Sequence, residues 1–354
     1  MQKSIPCVLM RGGTSRGPYL MADDLPEDIA MRDAVLLAVM GSPDTMQVNG
    51  LGGGQPQTSK VAIISRSTRT DCDVDYLFAQ VDIDEARVDT KPNCGNMLAG
   101  VGPFAIEAGL VKVADPVTSV RIFNVNTGAR IDARVETPDG RVNYEGDTAI
   151  AGVAGTAAAI PLTFRDFVGA KTGKLFPTGE AMECIDGITV TLVDSAMPML
   201  LLCGKDIGLA SLDAVKQSVS TGELFRRTEP LRLIAGQRMG FGDVAKSVIP
   251  KVGILFPSGH STIEVAYLMP WALHQSLAVT GAIAIATACA AEGTVAARLA
   301  QPLTDEIAIR HPAGIMHLGI ERGDGSLTGA TVMRTARRIF EGRVFVPAEF
   351  YATV

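Results

Sequence analysis

The chain has no surplus of positive charge. Its 32 Lys and Arg stand against 38 Asp and Glu, a formal net charge of -6 over 354 residues. No Lys/Arg run or basic-aromatic stripe outweighs that balance, which argues against a nucleic-acid partner. Paired cysteine spacing is missing as well. Cys7, Cys72, Cys94, Cys184, Cys203 and Cys289 are scattered without a C-x-x-C pair, and the N-terminus shows neither the basic nor the apolar region of a signal peptide. Free thiols in a reducing cytoplasm are therefore expected. The four histidines, His260, His274, His311 and His317, show no H-E-x-x-H or other metal-ligand spacing, so no metal is expected. The G-K-[ST] ending of a P-loop, the G-x-G-x-x-G fingerprint and the G-x-S-x-G elbow are all absent, and with them the case for nucleotide binding or an α/β-hydrolase. The longest apolar run, LAVTGAIAIATACAA from Leu277 to Ala291, is shorter than the roughly 20 residues that cross a bilayer and lacks basic flanks. It reads as a buried central helix, and no membrane partner is expected.

Apolar residues, by contrast, are plentiful. At 47% hydrophobic, 20% charged and 37 Gly, the chain can fill globular cores, and its length predicts two domains. Ser4 to Met10 reads as a strand entering the turn RGGTSRG (11–17), and Ile29 to Met40 has helical spacing closed by Gly41-Ser42-Pro43. Val61 to Ser65 and Asp73 to Val81 read as strands, the second placing Val74, Tyr76 and Phe78 on one face. A helix is expected from Met97 to Leu110. Strands follow at Val120 to Val125 and at Arg130 to Glu136, the latter joined to Val142 to Glu145 by the hairpin signal Pro138-Asp139-Gly140.

Small and turn residues at 152–159 and 171–179 place a domain boundary near residue 170, giving lobes 1–170 and 171–354. In the second lobe, strands are expected at Ile188 to Asp194, Met199 to Cys203 and Gly253 to Phe256, and helices at Ser211 to Ser218 and Leu277 to Ala291. Closing strands at Thr331 to Phe340 and Arg343 to Val346 turn at Glu341-Gly342, the last returning to the first lobe. Each half thus offers strands around one helix that is apolar all round, the pattern of a mixed α/β chain whose sheets curl about a central helix.

Three constellations could carry chemistry. Cys94 sits in KPNCGNMLAG (91–100), at the start of the expected helix. Unpaired N–H groups and the helix dipole at such a position can pull a thiol from about 8.5 into the range of roughly 3.5 to 7.5. Gly95 lets a ligand approach the backbone, and Asn93 and Asn96 can cap the helix or donate to carboxylates; a packed, inert cysteine stands as the competing reading. The turn with Arg11, Gly13, Thr14, Ser15 and Arg16 can cradle a carboxylate through N–H groups, hydroxyls and guanidiniums, or be no more than a tight turn. Lys60, with Ser59 beside it, ends the glycine-rich loop GLGGGQPQTSK (50–60) at the mouth of a strand. Desolvation there would make it a usable base, although a lone lysine is ordinarily a solvated surface group. His311, in the turn HPAG, could face a ligand.

Taken together, strand-RGGTSRG, GLGGGQPQTSK, KPNCGN before an apolar helix, AVTGA (278–282) and HPAG resemble the family of methylaconitate isomerases and 4-oxalomesaconate tautomerases over essentially the whole chain. DVDYLFAQV and the compact length look more like the 4-oxalomesaconate branch, met in bacterial gallate and protocatechuate breakdown. The resemblance implies a diaminopimelate epimerase-like fold of two pseudo-symmetric lobes. It also implies a cofactor-free and metal-free proton shift in a small tricarboxylate, carried out in the cytoplasm, and it allows a homodimer. By motif, the catalytic lysine falls on Lys60 and the catalytic cysteine on Cys94. Gly13, Thr14, Ser15, Gly95 and Asn96 fall where substrate carboxylates are held. Arg16, where the family often has Lys, keeps a charge, whereas Ala313, where it often has Ser, lacks a hydroxyl. The alternatives are a 2-methylaconitate cis-trans isomerase and a non-catalytic binder of small carboxylates. An epimerase with two opposed cysteines is disfavoured, because the second central helix opens on HQSLAVT (274–280) without one.

Overall fold

An apolar strand buried on both faces can satisfy its N–H and C=O groups only sideways, in a ladder, and this chain builds two such ladders. The computed structural model describes residues 1–304, 306–323 and 326–351, and it divides into two units, Met1–Phe164 with Met333–Val354 and Arg165–Val332.

The first unit contains β1 (Gln2–Gly12), β2 (Ser15–Met21), β3 (Lys60–Arg66), β4 (Val74–Val81), the short β5 (Val88–Asp89), β6 (Val117–Asn124), β7 (Arg130–Glu136), β8 (Ile160–Phe164) and, from the end of the chain, β18 (Ala336–Pro347). Its sheet runs β18-β1-β2-β3-β4-β6-β7-β8. Neighbours are antiparallel except β2–β3 and β4–β6, which are parallel, and β5 pairs with the end of β4. Helix α1 (Ile29–Met40) covers one face. Asp28 caps it by accepting from Met31 N–H at 2.9 Å, and Gly41 ends it in the left-handed conformation. Its Val35, Leu36, Val39 and Met40 pack on Leu20, Val61, Ile63 and Val346. The other face holds α2 (Gly95–Leu98) and α3 (Val101–Glu107), which bury Met97, Leu98, Val101, Phe104 and Ile106 against β1, β2, β3, β6 and β7. Strand β3 therefore reads KVAIISR, apolar on both sides, since Val61 and Ile63 meet α1 while Ala62 and Ile64 are buried on the opposite face.

The second unit repeats this plan. It contains β9 (Glu183–Ile185), β10 (Ile188–Ser195), β11 (Met197–Cys203), β12 (Lys251–Phe256), β13 (Ile263–Met269), the short β14 (Ala272–Leu273), β15 (Glu306–His311), β16 (Gly314–Gly323) and β17 (Ser326–Arg334). The order β9-β10-β11-β12-β13-β15-β16-β17 carries the same series of pairings, parallel only at β11–β12 and β13–β15, with β14 on the end of β13. Helix α6 (Val279–Ala290) is the central element, followed by α7 (Val295–Leu299). Ile283 and Ile285 are fully buried in it, each stabilising the unit by about 1.5–3 kcal/mol. Helices α4 (Leu212–Ser220) and α5 (Glu223–Arg238) cover the opposite face through Val215, Leu224, Leu231 and Ala235. The chain thus has the mixed α/β, diaminopimelate epimerase-like fold: two pseudo-symmetric halves, each with a sheet around a central helix.

Three expectations are corrected, and one helix is added. Residues 142–145 form no strand: β7 is flanked by β6 on one side and β8 on the other, and Asn143 N–H reaches only Glu136 O, at 2.9 Å. Helix Met97 to Leu110 starts earlier, at Gly95, and is interrupted at Ala99-Gly100. Pro103 explains the break, because it offers no N–H to Ala99 and its ring collides with that carbonyl. The closing strands do not turn at Glu341-Gly342. β18 runs straight through those residues, held by β1 from Gln2–Pro347 to Gly12–Ala336, with one bulge at Ile339. Helix α5 has no counterpart in the sequence reading, since Pro230 and its dense charges mask the period. Its Arg232 is fully buried, bonded twice to Glu229 at 2.7 Å and to the carbonyls of Val244, Ser247 and Ile249. Among the described residues no helix is long and apolar enough to cross a membrane.

Candidate active site

In the first unit the turn between β1 and β2, the loop before β3 and the start of α2 each deliver part of one site. The β1–β2 turn closes with Gly13 at φ +52, a backbone region that L side chains rarely adopt. A Cβ there would also run into the Asn96 side chain. Gly13 N–H donates to Thr335 O at 2.9 Å, and Thr14 N–H to Asn96 Oδ1 at 3.4 Å. Arg11 is folded onto the turn. Its Nη1 donates at 3.0 Å to Gly13 O, Thr335 O and Thr335 Oγ1, while burial, and after it the neighbouring Arg337, lowers its pKa. Thr14 is exposed and Ser15 is 4% exposed.

The 50–60 loop is held rather than free. Buried Gln47 accepts from Gly54 N–H at 3.0 Å and donates to Ser42 Oγ at 2.9 Å and Ser59 Oγ at 2.7 Å. Ser59, wholly buried, passes its own hydrogen to Val81 O at 2.8 Å. Its hydroxyl is therefore committed to the protein, and it supports the loop rather than joining the open part of the site. Lys60 opens β3 opposite Gln80 of β4. Its Nζ donates to Gln80 Oε1 at 2.6 Å and lies 4.9 Å from the centre of the Phe78 ring. The Gln80 amide is fixed, because its Nε2 donates to Ser59 O at 2.8 Å and Pro56 O at 3.2 Å, leaving only Oε1 for the lysine.

Cys94 is the N-cap of α2, 7% exposed and a free thiol. Two tyrosines hold the backbone behind it. Tyr76 donates to Cys94 O at 3.2 Å, and Tyr19 donates to Met97 O. Burial, followed by the nearby Cys94, pushes both phenols well above their ordinary range, so both keep the hydrogen they donate. Asn93 Oδ1 accepts from buried Asn124 at 2.7 Å. Asn126 bonds Phe78 through both its N–H and its C=O, at 2.8 and 2.9 Å, and reaches Thr90 O at 2.7 Å, tying the cysteine segment to β4.

Strand β4 is the ruler of the site. Tyr76, Phe78 and Gln80 alternate onto one face: Tyr76 touches Cys94, Gln80 touches Lys60, and Phe78 lies between, over a span of about 13 Å at 3.3 Å per residue. Gly95 and Asn96 open α2 beside the β1–β2 turn. The first unit thus brings together Arg11, Gly13, Thr14, Ser15, Lys60, Asn93, Cys94, Gly95 and Asn96. His311 belongs to the second unit, 3% exposed at the end of β15, where its Nδ1 accepts from Ala313 N–H at 3.2 Å. The sequence reading missed Gln80, Tyr19, Asn124 and Asn126. Gln80 left a signal, as a polar residue continuing the Val74, Tyr76, Phe78 face.

A cap-position thiol, a strand-end lysine and an N–H-rich turn on one scaffold match a known group of proteins. The chain matches the family described as PrpF protein over residues 2–347, and it belongs to that family. A 4-oxalomesaconate tautomerase of Pseudomonas putida is 48% identical over 349 residues, 98% of this chain and 97% of the relative. The crystal structure of a methylitaconate-delta-isomerase superposes with a TM-score of 0.92 at 36% identity, covering 100% of this chain and 98% of that one. A hydroxyproline epimerase from Agrobacterium vitis, 14% identical with a TM-score of 0.51 over 97% and 93% of the two chains, shares the fold alone. The chain is an enzyme of the isomerase class.

Proposed function

We propose that the protein moves a proton in an unsaturated tricarboxylic acid, as a 4-oxalomesaconate tautomerase, using Lys60 and Cys94. The observation that carries this reading is the face of β4, where Gln80 holds Lys60 Nζ and Tyr76 holds the Cys94 backbone carbonyl on either side of Phe78. A 1,3-allylic shift needs a base and an acid, each within reach of one of two carbons separated by a single atom. A neutral Lys60 takes a proton from the reacting carbon, and the C–H electron pair moves into the conjugated system as a dienolate. The old double bond shifts, and Cys94 returns a proton at the far carbon or steadies the intermediate. The backbone N–H groups of Gly95 and Asn96 at the start of α2 and the exposed Thr14 hydroxyl on the turn hold the carboxylates. The choice of substrate within the family rests on likeness, 48% to the named tautomerase against 36% to the methylitaconate isomerase.

Purified protein incubated in heavy water with 4-oxalomesaconate or with 2-methylaconitate, followed by absorbance and proton NMR, tests the reading. The expected result is rapid turnover of 4-oxalomesaconate with deuterium entering at one carbon. Faster turnover of 2-methylaconitate would reassign the substrate, and tight binding of either acid without exchange would make the protein a carboxylate binder.

A further inference from the structure

Strand β18 is hydrogen-bonded along only one of its edges. Its partner is β1, over the whole of Ala336–Pro347, and no other described strand pairs with it. Beside its first half lies an open groove of 790 Å³, lined also by Glu107, Arg141 and Tyr144. Between its charged residues the strand nonetheless exposes large apolar side chains: Ile339 is 48%, Phe340 53% and Phe345 59% accessible. A long unpaired edge is a template for another strand, and proteins ordinarily blunt or cover it.

The sequence of that edge says what covers it. Ile339-Phe340-Glu341-Gly342-Arg343-Val344-Phe345 is complementary to its own reversal: two apolar residues stand at each end, a glycine at the centre, and the acid on one side of that glycine answers the base on the other. We infer that β18 pairs antiparallel with β18 of a second copy of this chain about a two-fold axis through Gly342. In that register each Glu341 faces the second copy's Arg343 and each Phe340 faces its Val344. The ion pairs lie on one face of the new ladder and the Phe340–Val344 pairs on the other.

Gly342 suits the axis, where the two strands meet residue on residue. A Cβ there would lie 2.5 Å from Phe340 Cζ, so the glycine leaves room for the Phe340 ring to lie over it. The bulge at Ile339 limits the ladder to the residues after it, which sets Phe340 to Val344 as its core. Within one chain Glu341 already meets Arg338, and Arg343 donates to Ser4 O at 3.0 Å. Pairing with a second copy draws the Arg343 guanidinium from Ser4 of β1 toward the second copy's Glu341, and Glu341 shares Arg338 with that new partner. No part of this depends on the reaction assigned above.

Sedimentation equilibrium of the wild-type chain, of E341R, of R343E and of the double swap E341R/R343E decides the matter. The wild type is expected to be a dimer. Each single variant places like charges opposite each other twice and should weaken the dimer by about tenfold or more, while the double swap restores it. Circular dichroism of the same samples keeps dissociation distinct from unfolding. A monomeric wild type, single variants that dimerise as tightly as it does, or a double swap no tighter than the singles would each overturn the proposal.

Discussion

The two units share one series of strand pairings, yet they treat the start of the central helix in opposite ways. In the first, the helix opens on Cys94, Gly95 and Asn96 and is broken after one turn by Pro103. In the second, α6 opens on Ala278 and runs unbroken for 12 residues, ten of them buried. A lysine begins the matching strand in each, but Lys60 rests on the Gln80 amide, whereas Lys251 lies opposite no such acceptor and is pressed on by burial and then by Arg232, which lower its pKa to about 8. On the proposed function, the same scaffold carries chemistry where polar partners line β4 and serves as packing where they do not. The architecture sets where a reactive group can sit, and the local polar shell sets whether one does.

The largest test of that contrast is removal of the two reactive groups. Lys60→Met or Cys94→Ala should lower kcat by about 10²–10⁴-fold, the usual size of one acid/base contribution, while Lys251→Met leaves turnover near the wild-type value. Equal losses at Lys60 and Lys251 would break the comparison. Next comes the shell itself. Gln80→Met removes the acceptor at 2.6 Å from Nζ and should cost about 10–100-fold in kcat, the size of loss that misplacing a reacting group brings. Gln80→Glu should move the kcat–pH profile to higher pH instead, because a carboxylate favours the ammonium. Steady-state rates from pH 6 to 10 distinguish the two substitutions.

A smaller effect is expected at the turn. Gly13→Ala must hold φ near +52 while its methyl meets Asn96, a strain of about 1–3 kcal/mol. It should raise KM more than it lowers kcat, and reduce the melting temperature. The smallest effect belongs to the second unit. The Lys251 pKa is depressed from the ordinary lysine value to about 8, so between those values the unfolded chain holds the extra proton. The burial penalty is then full below pH 8 and fades as pH rises toward 10.4. Lys251→Met should therefore be more stable than the wild type at pH 7, by less than about 3 kcal/mol, and the gap should close by pH 10. Denaturant melts at both pH values read it directly.

Much of the framework was legible in local pattern. α1 emerged with the bounds its spacing predicts, because Asp28 and Gly41 are intrinsic start and stop signals. β7 likewise emerged over its expected residues. Two of the misses share one cause, which is dependence on distant partners, whereas the broken helix and α5 turn on the local effects of Pro103 and Pro230. Residues 142–145 have the composition of a hairpin arm, but no edge of β7 receives them; β18 crosses a Glu-Gly turn signal because β1, more than 300 residues earlier in the chain, holds it extended.

The site divides in the same way. The sequence by itself determined the candidate residue types, Lys60 at a strand mouth and Cys94 at a helix start, along with the glycine-rich turn that stands near them, since each follows from short-range backbone chemistry. Only the tertiary structure decided how they are used. Gln80 lies 20 residues beyond Lys60, and Asn124 lies 31 beyond Asn93, so no local rule names them as partners. Sheet register places one beside the lysine and the other behind the cysteine segment, and the same packing encloses the Ser59 hydroxyl and leaves β18 bare.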